Sequence, residues 1–536
     1  MPRIEYKIRR WLSEDEFKSL LEFSDYLGYY DGYKHFVVNP EKMRNAGYKY
    51  KDVIAKLSEV DAEFTTTSRR VLEKLASSED LAIVEYDRFE NTFILSSDIL
   101  LKPYLKQFLN KIKYSRVRRG YLVPPYLIWD VVNILRSYGL SIEDRSNILQ
   151  VKKLPREITF LGKLRDYQEK ALEAWRKNKK RGIIALPTGA GKTIVAIKAM
   201  AEANARTLIV VFTKDQLHQW IDKIKEFTDA GDLVGAYYSD EKDLAPITVT
   251  TYQTAFKKIQ LFGPRFYMLI IDEAHHLPAD KFRVIATGSI APYRMGLSAT
   301  VARDDGKHVE IFPLMGGVVY AKRASELVAQ GYLAPYVIRR VYVDLEPEER
   351  KKYDQLRKRY HALAMGRKFN ELLELAQRGD PKAIEAVRVN AQMRKIIAES
   401  EAKIKKIKQL IENELKKGSK ILVFTQYKSQ AEMIAKETGA LLLHGGIDSK
   451  TRKRVLEKFR RMKSGALVVT TLGDEGLDLP DVNVGILASG TGSQRQYIQR
   501  LGRLVRPRDN KTAILYEVIL RKTSEELQAR KRRRWV

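Results

Sequence analysis

The sequence predicts two tandem α/β domains, each built on a parallel sheet, with a helical insertion between them and an α+β region ahead of them. Three observations carry this. Short apolar strands alternate with helical stretches over residues 164–340 and again beyond residue 420, as a parallel sheet demands. The run Ile183–Thr193, Ile-Ile-Ala-Leu-Pro-Thr-Gly-Ala-Gly-Lys-Thr, passes from an apolar strand through a Pro/Gly turn into a helix at Ile194–Met200. That is the context a phosphate-binding loop requires. Between the two alternating regions, Glu346 to about Leu415 is densely charged with helical spacing.

Residues 1–150 carry no catalytic motif and read as two small α+β units split near residue 80. His35–Val38 is a strand followed by helical Tyr50–Leu57, and Asn91–Leu95 a strand followed by helical Ile99–Lys111. From Leu101 to Gly120 the basic residues Lys102, Lys106, Lys111, Lys113, Arg116, Arg118 and Arg119 stand without an acidic neighbour, interleaved with Tyr104, Phe108 and Tyr114. Bases could stack on such rings while the cations hold phosphates; an amphipathic helix with a solvated basic face is the plainer reading. Val151–Lys163 reads as a linker.

The first α/β domain, residues 164–335, has strands at Thr207–Phe212, Ile247–Thr250, Met268–Ile271 and Met295–Leu297 beside the loop strand. In the loop, glycines let backbone N–H groups approach phosphate oxygens with no Cβ in the way. The helix that follows adds a positive dipole end. Lys192 would reach the β- and γ-phosphates of ATP and the Thr193 hydroxyl would hold Mg²⁺. The first glycine of the full G-x-x-x-x-G-K-T pattern is Leu186 here; Gly189-Ala190-Gly191-Lys192-Thr193 is intact. Asp272-Glu273-Ala274-His275 ends the third strand, where ligands of such sheets bind. Asp272 can sit near Mg²⁺, leaving Glu273 to polarise the attacking water. A helix N-cap with first-turn charge is the alternative.

Pro335–Leu345 starts a strand of the second domain, residues 336–536. The insertion follows, thumb-like over about 346–400 and broken at Gly379-Asp380-Pro381. Its first helix offers Lys351, Arg357 and Lys358 among other cations, for phosphates or for solvent. Strands at Ile421–Phe424, Leu441–Leu443, Ala466–Thr470, Gly485–Leu487 and Ala513–Val518 form the second layer. Arg503 and Arg506, three apart, share a helical face, and two planar cations there suit a γ-phosphate in transition.

Lys and Arg number 97 against 67 Asp and Glu, a net +30 in 536 residues. That charge favours a polyanionic partner, nucleic acid before an anionic membrane surface. The length fits about three or four domains. No apolar run approaches the ~20 residues that span a bilayer. Met1–Phe17 is charged and lacks a signal-peptide core, so a cytoplasmic location is expected. With no cysteine, disulfides, thiolate zinc sites and cysteine nucleophiles are excluded.

Taken in order, the motifs resemble those of superfamily 2 helicases, whose two domains are RecA-like. Leu164-Arg165-Asp166-Tyr167-Gln168 resembles the Q motif, and the likeness implies an adenine contact for Gln168 with Arg165 beside it. Pro187–Thr193 resembles motif I, placing Thr188, Gly189, Ala190, Gly191, Lys192 and Thr193 around the nucleotide. Asp272–His275 resembles motif II in its DEAH spelling and Ser298-Ala299-Thr300 the coupling motif III. Gly476 and Asp478 match motif V, and Gln499–Arg506 matches motif VI, adding these residues to the nucleotide set. The resemblance further implies DNA-binding or coupling roles for Thr213, Thr250, Ser298, Thr300 and Thr470.

Within that superfamily the chain is most similar to the XPB family of DNA repair helicases. Gly296–Thr300 runs into Arg303-Asp304-Asp305, which resembles that family's Arg-Glu-Asp motif with Asp304 one methylene shorter. The insertion sits where the family carries its thumb, which gives Lys351, Arg357 and Lys358 a DNA-side role. Residues 1–150 occupy the place of its damage-recognition domain without a residue-level match. The resemblance implies ATP- and Mg²⁺-dependent 3′–5′ movement on DNA or duplex opening in repair. It also implies single-stranded or forked duplex DNA as partner and, in archaeal members, a repair nuclease. Two other classes fit the charge and the paired layers: an RNA helicase or RNA-stimulated ATPase, and a non-enzymatic DNA-binding scaffold with an ATPase-like fold. A restriction translocase is a nearer neighbour, disfavoured because no nuclease constellation is present.

Overall fold

The structure, a computed structural model, describes residues 3–78, 81–277, 280–299, 312–470, 482–489 and 512–532. Among these the strands form four sheets. The first two belong to the N-terminal region. Glu5–Ile8, Ser24–Tyr30, Tyr33–Val38 and Glu63–Phe64 pair antiparallel. Tyr6, Ile8, Phe36 and Val38 point inward against Tyr50, Val53 and Leu57 of the Tyr50–Glu59 helix. The second sheet orders Lys113–Ser115, Gly120–Val123, Thr92–Ser96, Leu81–Asp87 and Ser141–Asp144, and its last pair is parallel. The helix Ile128–Ser137 buries Ile128, Val131, Val132 and Leu135.

One expectation fails in this region. Ile99–Lys111 is not a helix: it holds one short 3-10 turn, Lys106–Phe108, and leads into the hairpin Lys113–Ser115/Gly120–Val123. Leu101, Leu105, Phe108 and Ile112 are buried, so their spacing imitates a helical stripe while a loop does the packing. Pro103 cannot donate to such a helix, and the segment must deliver a strand to the sheet edge. Phe108 is therefore a core residue, not a base-stacking one. Tyr114 and the basic side chains stay exposed.

Nor is 151–163 a free linker. Leu154 N–H donates to the Asn204 carbonyl (3.2 Å), Leu161 N–H to Phe227 (2.8 Å), and Arg206 N–H to Lys152 (3.1 Å). Leu154 and Ile158 are buried in the first parallel-sheet core. The second N-terminal unit is docked too. Trp129 Nε1 donates to the Ile290 carbonyl (2.6 Å), Asn91 to Gly288 (3.2 Å) and the Tyr267 hydroxyl to Ile148 (2.9 Å). Ala205, Tyr267 and Ile290 are buried in the N-terminal core. These residues precede the strands Thr207–Val211, Met268–Ile271 and Tyr293–Ser298. The N-terminal region thus covers the amino ends of the sheet and leaves the carboxyl ends to the site.

The third sheet is parallel throughout, in the order Val234–Tyr237, Ile247–Thr251, Thr207–Val211, Met268–Ile271, Tyr293–Ser298, Arg181–Ala185, Val318–Ala321. Its central strands are covered on both faces and read as continuous apolar runs. The edge strands Val234–Tyr237 and Val318–Ala321, half-buried, are the two that sequence patterning missed. Arg294, in a central strand, is fully buried. Its guanidinium donates to the carbonyls of Ala286, Ser289, Ala291 and Leu314 at 2.7–2.9 Å. Burial pulls its pKa down to about 9, which leaves it charged at neutral pH.

The insertion is helical over Pro347–Ala364, Phe369–Gln377, Pro381–Glu399 and Glu401–Lys416. At the Gly379-Asp380-Pro381 break, Gly379 has φ +88° and Asp380 caps the next helix through Ala383 N–H (2.7 Å), with Pro381 at its first turn. The last of these helices packs Ile407 and Ile411 under Ile421 and Val423 of the fourth sheet. That sheet is also parallel: Tyr336–Val343, Ala513–Leu520, Val484–Leu487, Lys420–Thr425, Gly465–Thr470, Leu441–Leu443. Two parallel-sheet α/β layers of this kind are the tandem RecA-like arrangement the sequence predicts.

Candidate active site

The strand Arg181–Ala185 ends in Leu186-Pro187 and turns through Gly189 (φ +85°) and Gly191 (φ +73°) into the helix Lys192–Ala203. Both angles lie where a Cβ is costly. At Gly191 an added Cβ would also stand 2.5 Å from the Gln168 amide nitrogen. Leu186 explains the departure from the full glycine pattern. Its side chain is buried in the sheet core, its N–H pairs with the Ser298 carbonyl (3.0 Å), and its carbonyl accepts from Lys192 Nζ (2.9 Å). Only the backbone of that position faces the loop, so a large apolar side chain is accommodated.

Gln168 is buried beneath this turn. Its Nε2 donates to the Ala190 carbonyl (3.0 Å), its Oε1 accepts from Arg165 N–H (2.9 Å), and Tyr167 OH donates to the same Ala190 carbonyl (2.8 Å). The side chain braces the loop from below. Arg165 is exposed and donates to the Tyr332 carbonyl (3.2 Å).

Asp272 follows strand Met268–Ile271, which is separated from the loop strand by Tyr293–Ser298. Its Oδ1 accepts from Glu273 N–H (2.9 Å) and its Oδ2 from Trp220 Nε1 (2.9 Å). Glu273 has φ +49°, uncommon for a residue with a side chain. The Tyr252 hydroxyl meets the carbonyls of Asp272 (3.1 Å) and Glu273 (3.2 Å). Burial first, and then the two carboxylates, push the Tyr252 phenol far up, so it stays a neutral donor. His275 Nδ1 lies 3.3 Å from Glu273 Oε2 and 3.5 Å from Ser298 Oγ. The end of the third strand is thereby joined to the expected coupling motif.

One cavity of about 560 Å³ gathers these groups, lined by Thr188, Gly189, Gly191, Lys192 and Thr193 on one side and Asp272 and Glu273 on the other, with Trp220 between. The Lys192 ammonium, the Thr193 hydroxyl and the Asp272 and Glu273 carboxylates therefore share one space at the carboxyl ends of a parallel sheet, with Asp222, Lys223 and Glu226 of the neighbouring helix also on its wall. Neither Trp220 nor Tyr252 was legible as a site residue. A tryptophan on the apolar face of a helix and a tyrosine after a strand both read as core, and their polar atoms gain meaning only from what stands across the fold.

The remaining expected residues divide. Thr213 caps the helix Lys214–Phe227, accepting from Gln216 N–H (3.2 Å). Thr250 is fully buried and its hydroxyl donates to the Tyr237 carbonyl (2.6 Å), tying the edge strand Val234–Tyr237 to its neighbour. Thr470 is likewise buried at the end of its strand. Lys351, Arg357 and Lys358 are exposed on the Pro347–Ala364 helix, whereas Arg359 is paired with Glu385 (2.7 Å). Thr300, Arg303, Asp304, Asp305, Gly476, Asp478, Gln499, Arg503 and Arg506 lie outside the described residues.

A phosphate loop and an acidic pair around one cavity, followed in the chain by a second parallel sheet, define a P-loop nucleoside triphosphatase with two RecA-like layers. Residues 161–303 match the family described as Type III restriction enzyme, res subunit, and residues 402–508 match the helicase conserved C-terminal domain. The chain is 38% identical over 433 residues to the DNA 3′-5′ translocase XPB2 of Sulfurisphaera tokodaii, covering 79% of this chain and 95% of that one. It is 32% identical to the DNA 3′-5′ helicase XPB of Kineococcus radiotolerans, over 70% of this chain and 62% of that one. A Drosophila melanogaster relative, the XPB helicase/translocase subunit of general transcription and DNA repair factor IIH, is 26% identical over 70% of this chain and 46% of its own. Among solved structures, the Pyrococcus furiosus Hef helicase domain matches 69% of this chain and 98% of that chain, at 20% identity and a TM-score of 0.46. The chain belongs to the XPB family.

Proposed function

We propose that the protein is an ATP-dependent DNA helicase or translocase that couples hydrolysis to 3′–5′ movement or duplex opening in DNA repair. The observation that carries this is the single cavity joining Lys192 and Thr193 to Asp272 and Glu273. The names of the relatives support DNA over RNA as the polymer, and an intact set of charged site residues argues against an inert scaffold. The glycine loop would take the phosphates on its N–H groups and Lys192 would hold the β/γ end. Thr193 and Asp272 would hold Mg²⁺, which supplies charge neutralisation at the phosphates. The residues fit that ion: Asp272 and Thr193 are hard oxygen donors, and among the described residues no cluster of three or more His, Cys, Asp or Glu would cage a metal by protein alone. Mg²⁺ prefers one or two carboxylates with water and phosphate. Glu273 would accept a proton from the attacking water. Arg503 and Arg506 would act from the second layer on the transferring phosphoryl group, with Gly476, Asp478 and Gln499 beside them.

Its working compartment is the one that holds DNA, the cytoplasm in a cell without a nucleus. Among the described residues no helix is long and apolar enough to cross a membrane. A repair nuclease is the protein partner we favour. The deciding experiment compares ATP hydrolysis with single-stranded DNA, forked duplex and RNA, beside strand displacement. Stronger stimulation by RNA than by DNA would overturn the reading.

Two further outcomes are expected. Lys351, Arg357 and Lys358 replaced together by alanine should lower the slope of log K against log salt for duplex DNA by about 0.9 for each phosphate no longer neutralised. An unchanged slope would assign that helix face to solvent. Replacing Arg303-Asp304-Asp305 by alanines should leave DNA-stimulated hydrolysis within a few-fold, a barrier change of about 1 kcal/mol, while strand displacement falls much further. Equal losses would place the triplet in the nucleotide site or the fold.

A further inference from the structure

Asp272 is held twice from outside the phosphate loop. The Lys214–Phe227 helix runs beside the sheet and brings Trp220, 3% exposed, to Asp272 Oδ2 at 2.9 Å. With Glu273 N–H on Oδ1 at 2.9 Å, the two donors fix the plane of the carboxylate. Each oxygen keeps acceptor capacity for a cation. The second hold is on the backbone. Tyr252 opens the helix Tyr252–Lys257, is fully buried, and points its hydroxyl at the Asp272 and Glu273 carbonyls. Those carbonyls flank the peptide at which Glu273 adopts φ +49°. The ring cannot shift freely, for it packs edge-on against Phe282 (5.0 Å between centroids) and Phe212 (6.1 Å).

We propose that Trp220 and Tyr252 are positioning residues for hydrolysis: Trp220 sets the Asp272 carboxylate for its metal ion, and Tyr252 holds the left-handed turn that aims Glu273 into the cavity. The assignment rests on the reading of this cavity as an ATPase site. It separates two effects. Loss of the indole N–H frees the carboxylate to rotate and so weakens the metal-dependent part of nucleotide binding. Loss of the phenol OH leaves binding in place and misaims the base, which acts only in the chemical step.

The test uses the full chain with Trp220→Phe and Tyr252→Phe, each of which keeps a ring in place and removes one hydrogen-bonding group. ADP binding is measured by calorimetry across Mg²⁺ concentrations and in EDTA. For Trp220→Phe the Mg²⁺ needed for half-maximal tightening should rise roughly tenfold, the scale seen when a ligand's hydrogen-bond partner is removed, with ADP affinity in EDTA unchanged. For Tyr252→Phe the kcat for ATP should fall roughly 10–100-fold, with KM and Mg²⁺-dependent ADP binding within about twofold. A structural role alone would lower the thermal transition and leave the Mg²⁺ requirement and the kcat-to-KM split of the folded fraction as in the wild type; that result overturns the proposal. So does wild-type behaviour of both variants in an active background. A wild-type chain that hydrolyses no ATP would instead overturn the functional reading on which the proposal rests.

Discussion

Lys192→Ala should bring ATP hydrolysis to background, a fall of roughly 10³-fold, while DNA binding stays close to wild type. Lys192 is at the first turn of its helix and faces the cavity beside Thr193, Asp272 and Glu273. Its ammonium is the cation that lines the cavity's loop side, and a methyl group cannot replace a charge that meets phosphate oxygens as negative charge shifts between them. The fold should tolerate the change. Lys192 Nζ makes one hydrogen bond, to the Leu186 carbonyl, and the residue is only half-buried. DNA affinity should persist because Lys351, Arg357 and Lys358 stand on a different element. Phosphate release and anisotropy of a labelled forked duplex measure the two quantities. Normal turnover by this variant would remove the phosphate loop from the mechanism.

Arg294→Met should produce the largest loss of stability of any single change considered for this protein, about 3–5 kcal/mol, since each buried carbonyl left without a donor costs about 1–3 kcal/mol before the surroundings relax. Methionine fills much of the same volume without a donor. Four buried carbonyls, those of Ala286, Ser289, Ala291 and Leu314, would lose their charged partner. At ~2–4 °C per kcal/mol for a domain of this size, the transition of the first α/β layer should drop by roughly 6–20 °C. Thermal unfolding followed by circular dichroism reads this directly. A shift within about 2 °C would mean that water reaches the carbonyls and replaces the guanidinium at little cost.

Much of the fold was legible because parallel strands buried on both faces are continuous apolar runs. Met268–Ile271, central in its sheet and buried throughout, coincides with the patterned segment to the residue. Edge strands such as Val318–Ala321 were not, since half of each faces other surroundings and the apolar run is diluted. Ile99–Lys111 misled for a related reason: Leu101, Leu105, Phe108 and Ile112 carry a helical spacing, yet a proline and the demand of a sheet edge decide their backbone. The docking of the N-terminal region was equally invisible. Trp129 and Asn91 find their partners in carbonyls more than 150 residues away, and no local pattern encodes that.

By itself the sequence determined the chemistry available to this protein. Glycine at 189 and 191 is dictated by backbone angles that other residues resist. Lysine at 192 and carboxylates at 272 and 273 are dictated by the charges of a nucleotide and its metal. These are local requirements, so they leave local signatures. The tertiary structure decided which groups stand around that chemistry and what each of them is bonded to. Thr250 stands one residue from a cap and ties two strands of the sheet, Gln168 braces the loop from beneath, and Trp220 and Tyr252 turn core-like rings towards motif II. A hydrogen bond needs a partner within about 3 Å along the donor's axis. That partner is set by how strands and helices pack, not by the residues adjacent in the chain.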